Sequence, residues 1–429
     1  MLPDGWREST LAQIGKIKSG GTPERAQHDR FFVGGRWPWV KTMDLTNDVV
    51  VTTDELITDA ALAESPCRLF PAGTVLVAMY GGFKQIGRTG VLKAESAVNQ
   101  AISAIELDRE QADPMYVLHW LNRHVGLWRN YAASSRKDPN ITRDDVCSFP
   151  IVLPRLPEQQ RVAQTLSTWD DAINRTKVLL ANRTVQWQAL LAMTLHLPPA
   201  NPSADGGTDN GGYPASVQPG IPTLPPTPEG WTRISLSRHL AEVRRPVSLN
   251  PNETYRLVTV KRSRGGVELR ETLTGREIKT PTQFYVRSGD FLISKRQIVH
   301  GACGIVPAEL DGAVVSNEYA VLNSDGQIDL RFLRYLSESR YFQQTCFHSS
   351  IGVHVEKMIF KTERWLKWPF NIPPLTVQLR IVEVLDTARR EVELIAAQIE
   401  RLKQEKAALM ADLLTGKRRV RLPAAETTP

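Results

Sequence analysis

Residues 150–166 read PIVLPRLPEQQRVAQTL, and residues 369–385 read PFNIPPLTVQLRIVEVL. Pro150, Pro154, Leu156, Gln159, Arg161 and Leu166 recur 219 positions later as Pro369, Pro373, Leu375, Gln378, Arg380 and Leu385, six identities in seventeen. A match at one fixed offset sets the architecture before any single element is read. Upstream, Pro3-Asp4-Gly5-Trp6 returns as Pro228-Glu229-Gly230-Trp231, and Ala97-Val98-Asn99-Gln100-Ala101 is loosely matched by Val315-Ser316-Asn317-Glu318-Tyr319. The chain is a duplication of a unit of about 220 residues.

After each repeated stretch the apolar period changes. Val162, Leu166, Trp169, Ile173, Thr176, Leu180, Arg183, Trp187, Leu190 and Thr194 advance by alternating steps of four and three. Ile381, Leu385, Ala388, Val392, Ile395, Ile399, Leu402, Lys406, Leu409 and Leu413 do the same at the same offset. A seam of period 3.5 held over about four heptads predicts a coiled coil. Pro157-Glu158 marks the first start, with proline in the first turn and an acid facing the dipole, and Gly416 stops the second helix before Lys417-Arg418-Arg419. A helix over 158–194 would be about 55 Å long at 1.5 Å per residue. The plainer reading lays each amphipathic helix on its own domain; the shared register argues against it. Trp169 and Trp187 align with Ala388 and Lys406, so two unlike seams can pack large against small.

Between the halves, residues 198–228 hold nine prolines and five glycines, the composition of an extended, unpacked linker. The predicted organisation is a first globular domain over 1–155, a spacer helix over 156–197, the linker over 198–228, a second globular domain over 229–372, a second spacer helix over 373–416 and a basic, disordered tail over 417–429. Inside the domains, runs such as Val75-Leu76-Val77 and Phe291-Leu292-Ile293 sit between Gly and Pro punctuation, while residues 115–128 and 330–342 have helical spacing. That predicts two α/β or α+β domains in tandem. An antiparallel helix pair is preferred, because the linker then starts beside the second domain, and 31 flexible residues average only about 30 Å end to end. The repeat then acquires a pseudo-twofold axis.

Length and composition agree. The chain has 429 residues, 41% hydrophobic and 23% charged, which excludes a single small domain and excludes disorder. Its 53 basic and 46 acidic residues give +7, favouring an anionic partner, nucleic acid first and a membrane surface second. No basic start with an apolar core opens the chain, and no apolar run approaches the roughly 18 residues of a span, so a cytoplasmic protein with no membrane segment is expected. Cys67, Cys147, Cys303 and Cys346 lie far apart without CxxC pairing, so neither a disulfide framework nor a zinc cluster is signalled.

Basic residues cluster at Lys84, Arg88 and Lys93, at Arg129, Arg136, Lys137 and Arg143, at Arg256, Lys261, Arg262 and Arg264, and at Lys295 with Arg296. Each run is punctuated by Gly, Asn, Gln or Ser, which bond phosphates or base edges. One such run is ordinarily a solvated face; four in equivalent regions of a duplicated chain point to nucleic acid. Gly82-Phe83-Lys84-Gln85-Ile86-Gly87-Arg88-Thr89 nearly reads as a phosphate-binding loop, but Arg88 stands where the lysine belongs and no strand with a magnesium-binding Asp accompanies it. There is no GxGxxG after a strand, no amino-methyltransferase Pro-Pro-aromatic motif and no GxSxG elbow. His119 and His124 are five apart, off metal-ligand spacing. The expectation is a chain with no catalytic group, no metal and no cofactor of its own.

The sequence resembles the DNA-specificity subunits of type I restriction-modification systems over nearly its whole length. The resemblance rests on Ile17-Lys18-Ser19-Gly20-Gly21-Thr22-Pro23, on residues 37–45 (WPWVKTMDL), on residues 156–163 (LPEQQRVA) and on residues 406–417 (KAALMADLLTGK). It implies two target-recognition domains, each reading half of a bipartite DNA site, held apart by two antiparallel helices. It also implies partners: two methyltransferase subunits carrying S-adenosylmethionine, and a restriction subunit using ATP with magnesium. Two departures stand out. The second helix opens Thr376-Val377-Gln378 where the family has Pro-Glu-Gln, and the second domain has no copy of the 37–45 motif. On this reading Lys41, Lys84, Gln85 and Arg88, with Ser135, Arg136 and Lys137, face one half-site. Lys261, Arg262, Arg264, Lys295, Arg296 and Gln297, with Val353 and His354 near the contact, face the other. The rival is a non-enzymatic coiled-coil interaction scaffold with basic domains.

Overall fold

The computed structural model describes residues 2–81, 85–131, 140–197 and 213–421. Contacts divide the chain into two units, Met1–Leu179 with Ile395–Pro429, and Leu180–Leu394. Both are mixed α/β.

In the first unit a five-stranded sheet runs Gly15–Ser19, Ile102–Leu107, Val75–Ala78, Thr89–Leu92, Asp48–Val50, beside a four-stranded sheet of Glu55–Ile57, Trp37–Val40, Ser96–Val98 and Leu69–Phe70. Val75–Ala78 is buried on both faces: Val75 and Val77 join a core with Tyr116, Leu121 and Trp128, while Leu76 and Ala78 join another with Val40, Phe70 and Val98. Alternation with period two sends neighbours to opposite faces, so this continuous apolar run is a central strand. Helix Pro114–Arg123 starts at Asp113, whose carboxylate accepts from the amides of Met115 and Tyr116, with proline at the first helical position. Tyr116 Oη donates to Val152 O and Trp120 Nε1 to Pro150 O, tying that helix to strand Pro150–Leu153.

The second unit repeats the scheme. Leu240–Glu242, Tyr319–Ser324, Phe291–Ser294 and Cys303–Ile305 form a four-stranded sheet; Pro246–Val247, Gln283–Tyr285, Val314–Ser316, Thr254–Val260 and Val267–Thr274 form a five-stranded one. Phe291 and Ile293 face one core and Leu292 the other. The helical stretch expected over 330–342 is two helices, Leu330–Leu336 and Arg340–His348, because the Ser339 side chain accepts from the Phe342 amide and caps a new helix.

The long helices span Leu156–Thr194 and Leu375–Leu414, 39 and 40 residues, the first beginning two residues before Glu158. All twenty seam positions are buried or half-buried. Off the seam, Val178, Val185, Met193 and Leu394 are more than 60% exposed. Within the first unit Val162, Ala163 and Leu166 share a core with Leu413 and Leu414, and Asp170 pairs with Lys406. Within the second unit Leu191 and Leu195 share a core with Ile381, Val382 and Leu385, and Arg183 Nε lies 3.0 Å from Glu391 Oε1, an ion pair off the line of a straight hydrogen bond. In each unit residue numbers climb along one helix as they fall along the other. Each helix start is clamped by the same residue. Gln159 accepts from the Asp113 amide and donates to Gln111 O and Pro154 O; Gln378 accepts from the Asp329 amide and donates to Gln327 O and Pro373 O.

Two expectations need correction. The linker is packed in its second part: Val217 is fully buried, Leu224 packs on the second unit's core, and Asn371 Nδ2 donates to Pro225 O at 3.0 Å. A proline run cannot join a ladder, but its carbonyls remain acceptors that side chains satisfy. Residues 198–212 lie outside the described residues. The start of the tail is ordered too, since Arg419 makes a two-point bond to Glu158 and Val420 packs on the first core, whereas 422–429 lie outside the described residues. Val377 stands where the first helix has Glu158, so the second helix start lacks a carboxylate for such a bond.

Candidate nucleic-acid interface

In the second unit three loops meet. Residues 295–302 connect strands Phe291–Ser294 and Cys303–Ile305, turning at Gly301, whose φ of +77 suits glycine. Residues 261–266 close the hairpin between Thr254–Val260 and Val267–Thr274, and are held to the first loop by Ser263 N donating to His300 O and Arg264 N to Gly301 O, both at 2.8 Å. Ser263 and Arg264 both have left-handed backbones, at φ 54 and 57. That conformation costs a side-chain-bearing residue about 1 kcal/mol or more, so those two amide bonds hold the turn in a shape it would not choose alone. The third loop, 352–358, brings Glu356 to 3.0 Å from Arg262 and 3.2 Å from His300 Nε2, while Phe360 N donates to Lys295 O.

Lys261, Arg262, Arg264, Lys295, Arg296, Gln297 and His354 thus come from three distant stretches to one loop cluster. Most of the cations have a local carboxylate: Lys261 meets Glu268, Arg262 meets Glu356, Lys295 meets Glu242 at 3.2 Å, and Arg296 meets Glu318. The pairs of Lys261, Arg262 and Arg296 are exposed and worth at most about 1 kcal/mol each, so a phosphate can take the carboxylate's place, whereas Lys295 and Glu242 are mostly buried. Arg264 differs. It sits with Glu338 at 2.6 Å in a mostly buried pair, where burial raises the Glu338 pKa despite the guanidinium, and its evident work is to hold the turn. His300 is buried, and burial followed by the charge of Arg262 lowers its pKa against the pull of Glu356. His354 and Lys357 are exposed and have no ion-pair partner among the described residues; the sequence reading missed Lys357.

In the first unit, residues 79–88 connect Val75–Ala78 to Thr89–Leu92 and carry Gln85 and Arg88. Ile141 N donates to Met79 O, and Gln85 Nε2 lies 3.6 Å from Met43 Sδ. Arg88 is half-buried without an ion-pair partner among the described residues. Lys41 is engaged by Asp54 and Glu55; partial burial pulls its pKa down, but the two acids carry it above the ordinary lysine value. Lys84, Ser135, Arg136 and Lys137 lie outside the described residues.

A basic cleft in the second unit also escaped the sequence reading. Arg331, Arg334, Arg389 and Arg390, with Ile305, Asp386 and Glu393, line about 440 Å³. Arg389 pairs with Glu393 and Arg331 with Asp329, and Asp386, which accepts from Tyr335, stands against Arg334 and Arg390, so the cleft is only weakly cationic. Among the described residues no three His, Cys, Asp or Glu side chains gather as metal ligands, and no helix is long and apolar enough to cross a membrane.

Residues 3–181 match the type I restriction modification DNA specificity domain. The match lies in the first half of the chain, which resembles this specificity family there. It is 26% identical over 167 residues to the EcoR124I/EcoR124II specificity subunit of Escherichia coli, covering 38% of this chain and 41% of that protein. It is also 26% identical over 180 residues to the MjaIX specificity subunit of Methanocaldococcus jannaschii, covering 41% and 40%. The matched stretches therefore span less than half of these specificity subunits. The fold is shared far more widely: the type I S subunit from M. genitalium aligns over 96% of this chain and 97% of its own, with a TM-score of 0.59 at 12% identity. A chain from a structure on complex assembly and conformational transition of the type I system aligns over 97% of this chain and 100% of its own, with a TM-score of 0.51 at 17% identity.

Proposed function

We propose that this chain is the DNA-specificity subunit of a type I restriction-modification complex. Its globular domains, 1–155 and 229–372, each read one half of a bipartite, asymmetric site on double-stranded DNA. The helices over 156–197 and 373–416 pair antiparallel as a coiled coil, fix the gap between the half-sites and dock two methyltransferase subunits, under a pseudo-twofold repeat. S-adenosylmethionine binds on those subunits and ATP with magnesium on the restriction subunit; this chain supplies recognition and no catalytic group.

The observation that carries the reading is the convergence of three loops in the second unit, which brings four exposed or half-buried cations and Gln297 onto one surface. Lys41, Lys84, Gln85, Arg88, Ser135, Arg136 and Lys137 serve the first half-site in the same way. Phosphate contacts dominate affinity, and two or three side chains per domain discriminate bases at about 1 to 3 kcal/mol each.

The test is to express the chain with its methyltransferase partner in cells free of other adenine methylation and to sequence the methylome. One bipartite motif with an adenine methylated in each half is expected, and K295A/R296A should lower methylation of that motif. Methylation without a bipartite motif overturns the reading, and a gel shift of the complex with no sequence preference favours the scaffold instead.

A further inference from the structure

We propose that Val353 reads a thymine through its 5-methyl group, from the major groove of the half-site addressed by the second unit; the inference rests on the proposed function. Val353 is 95% exposed, the most exposed large apolar side chain among the described residues. It stands just beyond the short hairpin of Ser350–Ile351 and Ile359–Phe360, which pairs Ser350 with Phe360 and Ile351 with Ile359. Ile351 and Ile359 are themselves 46% and 38% exposed, so three apolar side chains share this hairpin end.

The end is held firmly. Phe360 is buried against Trp365, its amide donates to Lys295 O, and Lys361 N donates to Ser349 O, each at 2.9 Å. Met358 is buried beneath the loop, and a Cβ on Gly352 would come within 2.8 Å of Met358 Cα, so the returning chain passes directly over Gly352. A rigid pedestal that leaves a valine bare is a poor way to build a core and a good way to present a methyl-sized contact.

The surroundings select the partner. The loop's one acid, Glu356, is taken up by Arg262 and His300, whereas His354 and Lys357 are exposed without ion-pair partners among the described residues. An apolar tip beside Lys357, Arg262 and the imidazole of His354 suits DNA. The major groove admits a two-stranded ribbon, and its apolar landmark is the thymine methyl; the minor groove presents none. Valine has no group for a phosphate or a polar base edge, which leaves that methyl as its natural contact.

The experiment uses the complex of this chain with its methyltransferase partner and duplexes in which each thymine of the second half-site is replaced in turn by deoxyuridine. One replacement should weaken wild-type binding about fourfold, the worth of one buried methyl. V353A should bind unmodified DNA weaker by about the same factor and be indifferent to that replacement. V353T, which keeps a methyl, should retain part of the sensitivity, and unchanged near-ultraviolet circular dichroism excludes misfolding. Equal sensitivity in wild type and V353A, no sensitive thymine, or a half-site with no A·T pair overturns the proposal. So does brightening of 2-aminopurine at one step without deoxyuridine sensitivity, the signature of a minor-groove wedge. If neither complex prefers cognate over scrambled duplex, the underlying reading fails first and this one with it.

Discussion

Lys406 of the second long helix donates to Asp170 of the first, placing a charged pair at a mostly apolar seam. The side chains are only 16% and 26% exposed. Burial is the larger influence on Asp170 and raises its pKa even though Lys406 pulls the other way. Such a pair adds little net stability but fixes register, because removing one partner strands the other. Lys406→Met should therefore cost about 2 kcal/mol, and adding Asp170→Asn should recover most of it. Thermal unfolding of the two variants and their combination measures the coupling; additive losses would show that the pair sets no register.

Gln159 and Gln378 invite a paired test. Removing either side chain leaves one amide and two carbonyls unmet at a buried helix start, a loss of about 2 to 3 kcal/mol. Gln159→Ala and Gln378→Ala should lower stability alike and speed hydrogen exchange at the Asp113 and Asp329 amides respectively. Gln159→Glu keeps the acceptor but sets a negative charge against Gln111 O and Pro154 O, so its loss should shrink on acidification. Slow exchange at Asp113 in Gln159→Ala would refute the clamp.

Those two glutamines also mark how far sequence reasoning reaches. The repeat at 219, the helices and their seam were legible because a heptad leaves its period in every turn. The partners of the basic loops were not: Lys295 meets Glu242 from 53 positions away and Arg262 meets Glu356 from 94, contacts that leave no local pattern. Arg264 looked like the other basic loop residues until folding buried it against Glu338. The linker misled for a related reason. Its composition reports the lack of a hydrogen-bond ladder, not the lack of contact, and Val217 lies fully buried.

His119 gives the first unit an acid limit. The ring is 1% exposed and neither nitrogen has a hydrogen-bond partner among the described residues. Burial first, then the charge of Lys406, lowers its pKa to about 3, against the pull of Asp48. The unfolded chain takes up this proton near pH 6.5 while the folded unit refuses it, so stability is complete above that value and declines as pH falls toward 3, by about 1.4 kcal/mol per unit. Urea unfolding at pH 7 and pH 5 should differ by about 2 kcal/mol more in the wild type than in His119→Leu. Equal differences would mean that the histidine finds a proton-accepting partner.

The two long helices can be lengthened without altering a loop of either unit. The pairs Asp170–Lys406 and Arg183–Glu391 flank the positions where each long helix passes from one unit to the other, between 179 and 180 and between 394 and 395. Seven residues inserted at both positions preserve the seam on each side and add about 10 Å at 1.5 Å per residue. At about 3.4 Å per base pair, the gap in the methylated motif should grow by about three base pairs, with both half-site sequences unchanged. Inserting the heptad into one helix alone should abolish methylation, because the seam then has no continuous partner. Methylome sequencing decides: a motif with altered half-sites, or with its gap unchanged after the double insertion, removes the helices as the ruler.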